Sequence, residues 1–309
     1  MHLLIPFAFC STEGCAPALP ALKLPYLEKL LSRLTPEPPD HGDEFSLSPP
    51  HERALARALG LPVTDGLIPW AARQARPAGG AWGFITPCHW QTGTHHVIMS
   101  GQELPDFSAG ESHTLLVAMQ PYFKEDGIVL QYDQPGRWLV QGDVFKDLPT
   151  ASLDRVAGRN LENWMPRSAS AAGLRRLQNE MQMLLYTHPV NEARAARGVP
   201  VVNSFWLSGT GTLPRTPLPS TVAPQPVTVN TLRTAALNED WAAWVQAWHA
   251  LDASQCAALL AALDQGEPGQ LTLCGERHAQ TFTTQPKTLV TRFMNLFGTP
   301  PASKLLETL

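Results

Sequence analysis

The sequence lacks the long apolar run of about 18 residues that a membrane-spanning helix needs. The N-terminal segment Met1–Cys15 has an apolar run but no positive charge before it, so it predicts a first buried strand, His2–Phe9, and not a signal peptide. Charged residues are also scarce, at 16%, and the formal net charge is -4. We therefore expect neither a membrane nor a broad nucleic-acid surface, and only local basic clusters remain as anion sites.

Cysteine is sparse, and its copies are odd in number and scattered. The five residues are Cys10, Cys15, Cys88, Cys256 and Cys274. This usage fits reduced thiols better than a disulfide framework and predicts a cytoplasmic protein. Cys10 and Cys15 are too isolated to indicate a zinc site.

Three nucleotide and hydrolase motifs are absent: the P-loop, the G-x-G-x-x-G turn and the G-x-S-x-G elbow. The sequence does contain enough apolar residues for a substantial core, because 44% of its 309 residues are hydrophobic. This length suits one large domain or two ordinary domains.

The stretch Tyr186–Gly211 reads as a short helix, an apolar strand and a glycine loop. Asn191 is suited to cap the helix, because its side chain can accept a bond from an unpaired backbone N–H. The helix is expected to run through Ala196, and Gly198 can end it in the left-handed conformation. The β-branched and aromatic residues of Val199–Leu207 predict a buried strand.

Two features of this stretch indicate a ligand site. Ser208, Gly209 and Gly211 follow the predicted strand at its carboxyl end, where α/β sheets usually bind ligands. Arg194 and Arg197 are three residues apart, so they share a helix face and could hold an anion together. The alternative is an ordinary helix–strand connection with solvated arginines.

The segment from Cys88 to His96 is the densest group of possible metal ligands, because thiolates and imidazoles bind zinc and other transition metals. The candidate ligands are His89, His95 and, later in the chain, His278. On a strand, His95 and His96 would point to opposite faces, so only one of them can join a given site. The alternative is a polar loop with one buried, hydrogen-bonded histidine.

The catalytic candidates are Ser48, His51 and His188. Ser48, His51 and Glu52 place a hydroxyl, an imidazole and a carboxylate at the start of a predicted helix, and helix starts attract anions. His188 lies near Asn191 and the two arginines. Glu52 can equally be a simple first-turn partner of the helix dipole.

The middle of the chain predicts an α+β subdomain. Two apolar runs, Ala81–Thr86 and His95–Ser100, are expected to be adjacent strands of one sheet. Ser108–Phe123 has the apolar stripe of a helix. Gly127–Tyr132 and Arg137–Val140 predict a β-hairpin.

The expected division of the chain has four parts. Residues 1–80 are the first part of an α/β core, 81–211 the α+β subdomain, 212–229 a proline-rich linker or loop, and 230–309 the rest of the core. In the last part, Trp241, Trp244 and Trp248 share one face of a predicted helix and are expected to pack inward. A surface for protein interaction is the alternative interpretation of these tryptophans.

One block of the sequence carries a family resemblance. Its residues are His188-Pro189-Val190-Asn191, Arg194, Gly198, Asn203, Phe205-Trp206-Leu207 and Gly209-Thr210-Gly211. The block resembles a segment of the archaeal-type cofactor-independent phosphoglycerate mutases. The whole chain more closely resembles bacterial RpfE-type regulatory proteins, through the segments LSPPHERALARALGL, TPCHW, LQNEMQMLLYTHPVN and VNSFWLSGTG.

The resemblance implies an α/β fold: a divergent, reduced sheet like that of phosphoglycerate mutases and the alkaline phosphatase superfamily, with a smaller α+β subdomain. Such mutases hold two divalent metals through an Asp after the first strand, a nucleophilic Ser, and later Asp and His residues. Here Pro6-Phe7-Ala8-Phe9 follows the first strand, without an Asp. The late Asp-His motif is replaced by Cys274-Gly275-Glu276-Arg277-His278. Register decides whether Ser48 replaces the nucleophile.

These departures predict a phosphoglycerate-mutase-like regulatory protein without the usual two-metal site and without a cofactor. It is expected to bind an anionic or phosphorylated ligand or a protein partner. The ligand-binding residues that the retained block implies are Asn191, Arg194, Arg197, Asn203, Ser208, Gly209 and Gly211. The alternative is an active phosphomutase or phosphohydrolase with a rearranged site, in which histidines bind Mn or Zn and Ser48 is the nucleophile.

Overall fold

The chain forms two compact units in a computed structural model that describes residues 1–75, 79–93, 96–101, 103–214, 225–284 and 302–309. The first unit comprises Met1–Glu44, Pro49–Gly60 and the described residues of Pro219–Leu309. The second comprises Phe45–Ser48 and the described residues of Leu61–Leu218. The boundaries expected from the sequence, after residues 80, 211 and 229, stay a prediction. Residues 215–224 of the predicted linker lie outside the described residues.

The described residues contain both strands and helices. The strands are β1 (His2–Ile5), β2 (Thr35–Pro36), β3 (Asp40–His41), β4 (Ala81–Cys88), β5 (Trp90–Thr92), β6 (Val97–Met99), β7 (Val129–Gln134), β8 (Arg137–Gln141), β9 (Ser204–Thr212), β10 (Val227–Thr228), β11 (Gln270–Cys274) and β12 (His278–Thr283). The α-helices are α1 (Cys15–Ala18), α2 (Pro25–Arg33), α3 (Pro50–Ala58), α4 (Trp70–Gln74), α5 (Ala109–Glu125), α6 (Leu153–Val156), α7 (Ala172–Tyr186), α8 (Pro189–Ala196), α9 (Arg233–Leu237), α10 (Trp241–Leu251), α11 (Ala257–Asp264) and α12 (Ala302–Leu306). A π-helical turn, Asp252–Cys256, joins α10 to α11. This mixture confirms the predicted α/β class. Within the described ranges, no helix has the length and apolarity to cross a bilayer.

The sheet of the first unit has the order β10-β1-β11-β12-β2, and β3 also pairs with β12. β1 runs parallel to β10 and β11, whereas β12 is antiparallel to β11, β2 and β3. Side chains alternate between faces along a strand. Leu3 and Ile5 of β1 and Leu271 and Leu273 of β11 therefore share the face that packs against α2, α10 and α11. The opposite face is covered by α3.

The first unit confirms the predicted packing of two tryptophans but has a shorter first strand than predicted. Trp244 and Trp248 of α10 are fully buried, with 6.2 Å between their ring centroids in a T-shaped contact. Their inward packing is therefore confirmed. The first strand is shorter than predicted: it ends at Ile5, because the backbone turns at Phe7, where φ is +56°.

The sheet of the second unit is antiparallel, in the order β7-β8-β4-β9, and α5 and α7 pack on it. The predicted helix at Ser108 and the hairpin β7–β8 are confirmed, and Ser108 and Glu111 form a capping box at the start of α5. The expected pairing of 81–86 with 95–100 is wrong. β4 has β8 and β9 on its two edges, so β6 pairs with β5 instead.

His2 is a buried polar residue on the α3 side of the first unit's sheet. Its imidazole Nε2 lies 2.9 Å from the hydroxyl of Thr272 on β11. Desolvation, with the nearby N-terminal ammonium, lowers the pKa of His2 to about 4. The folded state therefore keeps this imidazole neutral.

We expect the free energy of unfolding to fall as the pH drops from about 6.5 towards about 4, because the unfolded chain takes up a proton that the folded chain excludes at His2. The stabilisation is complete above this window. His2→Gln should remove up to about one proton from the slope of unfolding free energy against pH, measured by urea unfolding. The control is His113→Gln, at an exposed position of α5. An unchanged slope in His2→Gln would contradict this assignment.

Asp252 caps α2 from the π-helical turn, since its carboxylate accepts the N–H groups of Leu27 at 2.7 Å and Tyr26 at 3.2 Å. Asp252 is buried. We expect Asp252→Ala to lower the free energy of unfolding by roughly 2 kcal/mol, because buried N–H groups lose their acceptor. Asp264→Ala, which removes an exposed ion pair with Arg33, should cost less than about 0.5 kcal/mol. Equal losses in the two variants, measured by urea denaturation, would refute the capping role.

Candidate functional site

Arg194 of α8 is fully buried, and the protein itself satisfies its guanidinium. Nε donates to the Pro200 carbonyl at 2.8 Å, and Nη2 donates to the Pro105 carbonyl at 2.8 Å. Nη1 donates to the Asp106 carbonyl at 3.4 Å and to Glu111 at 3.3 Å. Only the planar, multi-donor fork of arginine can make this set of bonds. Arg194 therefore ties α8 to the segment before α5, and its surroundings do not support the anion-binding role that the sequence predicts.

Glu111 joins the two arginines of the central stretch. Its Oε1 accepts from Arg197 at 2.6 Å, and its Oε2 accepts the Ser108 N–H at 2.9 Å as well as Arg194. Desolvation acts to raise the pKa of Glu111, but the bonds from Ser108 and the arginines outweigh it and hold that pKa below its ordinary value. The side chain of Arg197 is 50% exposed, so of the two arginines only Arg197 presents a surface to a ligand.

The side chains of the two asparagines that were predicted to bind a ligand form hydrogen bonds with backbone groups. Asn191 is buried; its Nδ2 donates to the carbonyls of Leu185 and Val202, and its Oδ1 accepts the Val202 N–H at 2.8 Å. Asn203 pairs with both backbone groups of Trp90, at 2.7 and 2.8 Å. Both side chains therefore hold segments together, and their predicted contact with a ligand stays a prediction.

The start of α8 differs from the sequence expectation. His188, not Asn191, is the N-cap, and its Nδ1 accepts the Val190 N–H at 3.2 Å. Pro189 then occupies the first helical position, where a missing N–H does no harm, so Asn191 falls inside the helix. Gly198 has φ of +71°, as its predicted helix-ending role requires.

The predicted glycine loop is part of a strand. β9 runs through Ser208, Gly209 and Gly211, and the backbone of Ser208 pairs with that of Phe84. The predicted strand Val199–Leu207 therefore begins too early and ends too early. Gly209 has φ of +61°, and a Cβ there would lie 2.9 Å from the Phe84 ring. The glycines are needed for the backbone conformation and for close packing, and only Ser208 of the three carries a functional group.

The metal candidates of the second unit have other partners. His89 Nδ1 lies 2.8 Å from the Val201 carbonyl, and burial raises the pKa of the Cys88 thiol well above its usual range. His95 lies outside the described residues. The thiolate that a metal needs is thus disfavoured at Cys88.

His278, in the first unit, lies opposite His41 across β12 and β3. Their rings form a T-shaped contact with 4.8 Å between centroids, and His278 Nδ1 accepts the Gly42 N–H at 3.4 Å. Desolvation, followed by His41 and the charge of Arg277, lowers the pKa of His278. Among the residues that the structure describes, no three His, Cys, Asp or Glu side chains are grouped to hold a metal ion.

Ser48 and His51 belong to different units. The Ser48 hydroxyl is buried in the second unit and accepts the Gly66 N–H at 2.9 Å, while its own N–H donates to Asp65. His51 lies in α3 of the first unit, with its ring centroid 5.2 Å from that of Phe7. The residues that would make a nucleophile and a base are thus used in separate local contacts.

The carboxyl ends of β1 and β11 are closed by protein groups. Ser11 donates its N–H to Glu276 at 3.0 Å, and its hydroxyl bonds the same carboxylate oxygen. The backbone oxygen of Leu309 accepts the N–H groups of Arg277 at 3.3 Å and His278 at 2.8 Å. The Glu276 carboxylate, which follows β11, is therefore bonded to Ser11.

A cavity of about 470 Å³ lies on the other face of the first unit's sheet, under α3. We call it the α3 cavity. Its floor contains His2, Gln270, Thr272, Ala279 and Thr281, and its walls contain Ala54, Arg57 and Ala58 of α3 and the segment 37–40. The sequence does not predict this cavity. The one pattern that indicates a polar face there is the alternation of polar residues with leucines in β11.

Hydrogen bonds order the polar groups of the α3 cavity. The Thr272 hydroxyl lies 2.9 Å from His2 Nε2 and 3.0 Å from the Thr281 hydroxyl. Asp40 at the wall accepts from Arg57 at 2.6 Å and from Arg53 at 2.9 Å. Desolvation opposes ionisation of Asp40, but the two guanidinium groups prevail and lower its pKa. The cavity therefore combines a hydroxyl chain with the Asp40–Arg57 ion pair and the Glu37 carboxylate, whereas Arg53, which also bonds Asp40, is not part of the lining.

Solved structures that are similar to this chain include a cofactor-independent phosphoglycerate mutase from Thermoplasma acidophilum DSM 1728. That structure shares 14% sequence identity, has a TM-score of 0.37, and is matched over 91% of this chain and 89% of that chain. The PH0037 protein from Pyrococcus horikoshii shares 13% identity, with a TM-score of 0.40, over 91% of this chain and 87% of that chain. No protein-family model matches the chain, and no curated protein does.

Proposed function

We propose that this protein is a non-catalytic, cytoplasmic regulatory protein related to the cofactor-independent phosphoglycerate mutases, as the resemblance to RpfE-type proteins implies. It works by binding a small anionic ligand in the α3 cavity. The observation that carries the proposal is the position of Arg57, which lines the cavity and whose side chain is 47% exposed.

The chemistry at the strand ends supports a binding role over two-metal phosphoryl transfer. That reaction needs two cations held on the attacking and leaving oxygens by a set of carboxylates. Phe7 and Phe9 follow β1 where the mutases have an Asp, and the Glu276 carboxylate after β11 is held by Ser11. The nucleophile candidate, Ser48, has its hydroxyl bonded to a backbone N–H in the other unit.

The groups of the α3 cavity select the class of ligand. Arg57 carries the guanidinium of the cavity lining, and it has further N–H donors besides the one that it gives to Asp40. Asp40 and Glu37 also line the cavity, so a polyanion is disfavoured by repulsion between like charges. The hydroxyls of Thr272 and Thr281 suit hydroxyl groups. The ligand class is therefore a small hydroxylated molecule with one carboxylate or phosphate.

Isothermal titration with phosphoglycerate, glycerate and inorganic phosphate tests this proposal. We expect heat with at least one of them, and a binding constant weakened about tenfold or more in Arg57→Gln, because a charge-assisted hydrogen bond contributes about 1.5–3 kcal/mol. Thr281→Val should weaken binding of the hydroxylated ligands but not of inorganic phosphate. The matched control, Arg33→Gln, removes an exposed arginine of the same unit and should leave every binding constant unchanged.

A second variant tests whether the ligand binds in the first unit or in the second. Arg197→Gln removes the exposed arginine of the central stretch and should leave binding unchanged if the ligand occupies the α3 cavity. Loss of binding in Arg197→Gln, with normal binding in Arg57→Gln, would move the site to the second unit. If none of the three ligands gives a heat of binding, the small-anion proposal is wrong and a protein partner is favoured. Stoichiometric Mn or Zn, with phosphatase activity lost in Ser48→Ala, would overturn the non-catalytic role.

A further inference from the structure

Two cysteines lie against each other at the start of the first unit, in the loop between β1 and α1. The Cys10 N–H donates to the Cys15 sulfur at 3.3 Å, and the turn between them is closed by the Cys15 N–H on the Thr12 carbonyl at 3.1 Å. Because an N–Cα bond measures about 1.46 Å, the Cys15 sulfur lies within about 4.8 Å of the Cys10 Cα. The two thiols are also hydrogen-bonded to each other.

A disulfide requires the two Cα atoms to lie about 4.4–6.8 Å apart, and the contact of the Cys15 sulfur with the Cys10 backbone is compatible with that range. Forming the S–S bond requires the two sulfurs to approach to about 2.05 Å. Cys88, Cys256 and Cys274 have no such pairing in the described residues and are buried as free thiols.

We propose that Cys10 and Cys15 form a peroxide-sensitive dithiol, which closes reversibly to a disulfide. The proposal is independent of the ligand of the α3 cavity, because neither cysteine lines that cavity. It adds a modification site to the chain.

The electronic environment supports Cys15 as the attacking sulfur. The hydrogen bond from the Cys10 thiol, assisted by the Cys10 N–H, lowers the pKa of Cys15 despite its burial. Burial has the opposite effect on the unpaired thiols and raises the pKa of Cys256 to about 12. Since the thiolate is the nucleophile, oxidation is expected to select the Cys10–Cys15 pair.

The reaction balances with one hydroperoxide. The Cys15 thiolate attacks one oxygen, the O–O bond breaks, and the leaving oxygen takes the proton to become water, which leaves a sulfenic acid on Cys15. The Cys10 sulfur then attacks the Cys15 sulfur, the S–S bond forms, the S–O bond breaks, and a second water leaves with the Cys10 proton. Two thiols lose two electrons and hydrogen peroxide gains them. A small dithiol reductant reverses the change by thiol–disulfide exchange.

The loop that carries the two cysteines is at the surface, and it contacts a tryptophan that can report its movement. Ser11 and Glu13 are exposed, whereas Cys10 is 7% exposed and Cys15 is fully buried, so a peroxide has to reach the Cys15 sulfur past the loop. Gly14 packs so closely on Trp241 that a Cβ there would lie 2.1 Å from the indole nitrogen. Movement of the loop on disulfide formation therefore changes the surroundings of that indole.

Mass spectrometry of the full-length protein treated with hydrogen peroxide tests the proposal. The first tryptic peptide ends at Lys23 and contains only Cys10 and Cys15. We expect this peptide to become lighter by two hydrogen atoms and to stop reacting with iodoacetamide. Its oxidation should be more than about tenfold faster than that of Cys256 or Cys274. Cleavage after Glu13 should give two fragments that stay joined until a reductant separates them. Treatment with the reductant should also restore the original tryptophan fluorescence.

Single variants assign the order of attack. In Cys10→Ser, a sulfenic acid on Cys15 should persist and react with dimedone, whereas Cys15→Ser should give no such adduct on Cys10. Because the wild-type peptide map needs no variant, misfolding of either variant leaves the test valid. The proposal is overturned if both cysteines stay alkylatable while free glutathione is oxidised in the same solution. It is equally overturned if the disulfide forms only after the protein is unfolded in guanidinium chloride.

Discussion

Alternation along two parallel strands is the constraint on which the first unit depends. Leu3 and Ile5 in β1 face the same way as Leu271 and Leu273 in β11, and they make one side of the sheet the floor of a leucine- and tryptophan-rich core. The same alternation forces His2 and Thr272 onto the other side. Polar groups under a helix must find partners, and the chain of hydrogen bonds from His2 through Thr272 to Thr281 meets that requirement.

The second unit depends on buried polar side chains that stand in for backbone partners. Arg194 gathers carbonyls from segments that have no regular structure to satisfy them, and Asn191 and Asn203 do the same for single residues. Leaving such groups unpaired would cost roughly 1–3 kcal/mol each. Residue types that indicate a ligand site in a sequence are also the ones that a fold uses for this purpose. Pattern alone therefore does not separate the two uses.

The sequence predicts the features that depend on neighbouring residues. The helix α5 and the hairpin β7–β8 depend on a few consecutive positions, and both are found as expected. The predicted start of α8, with Asn191 as its cap, is misplaced because Pro189 occupies the first helical position and leaves His188 as the N-cap. The wrong pairing of β4 has a different cause, because its edges are taken by strands distant in sequence. The α3 cavity could not be predicted for the same reason, because its hydroxyl chain joins residues separated by 270 positions.

The central position of β1 has a consequence for synthesis on the ribosome. Its neighbours in the sheet, β10 and β11, are made after almost the whole second unit. At translation rates of about 5–20 residues per second, this strand emerges on the order of tens of seconds before its partners. The second unit is nearly continuous in sequence and can fold during that interval. The apolar strand β1 meanwhile has no sheet to join and stays unpaired until β10 and β11 are made.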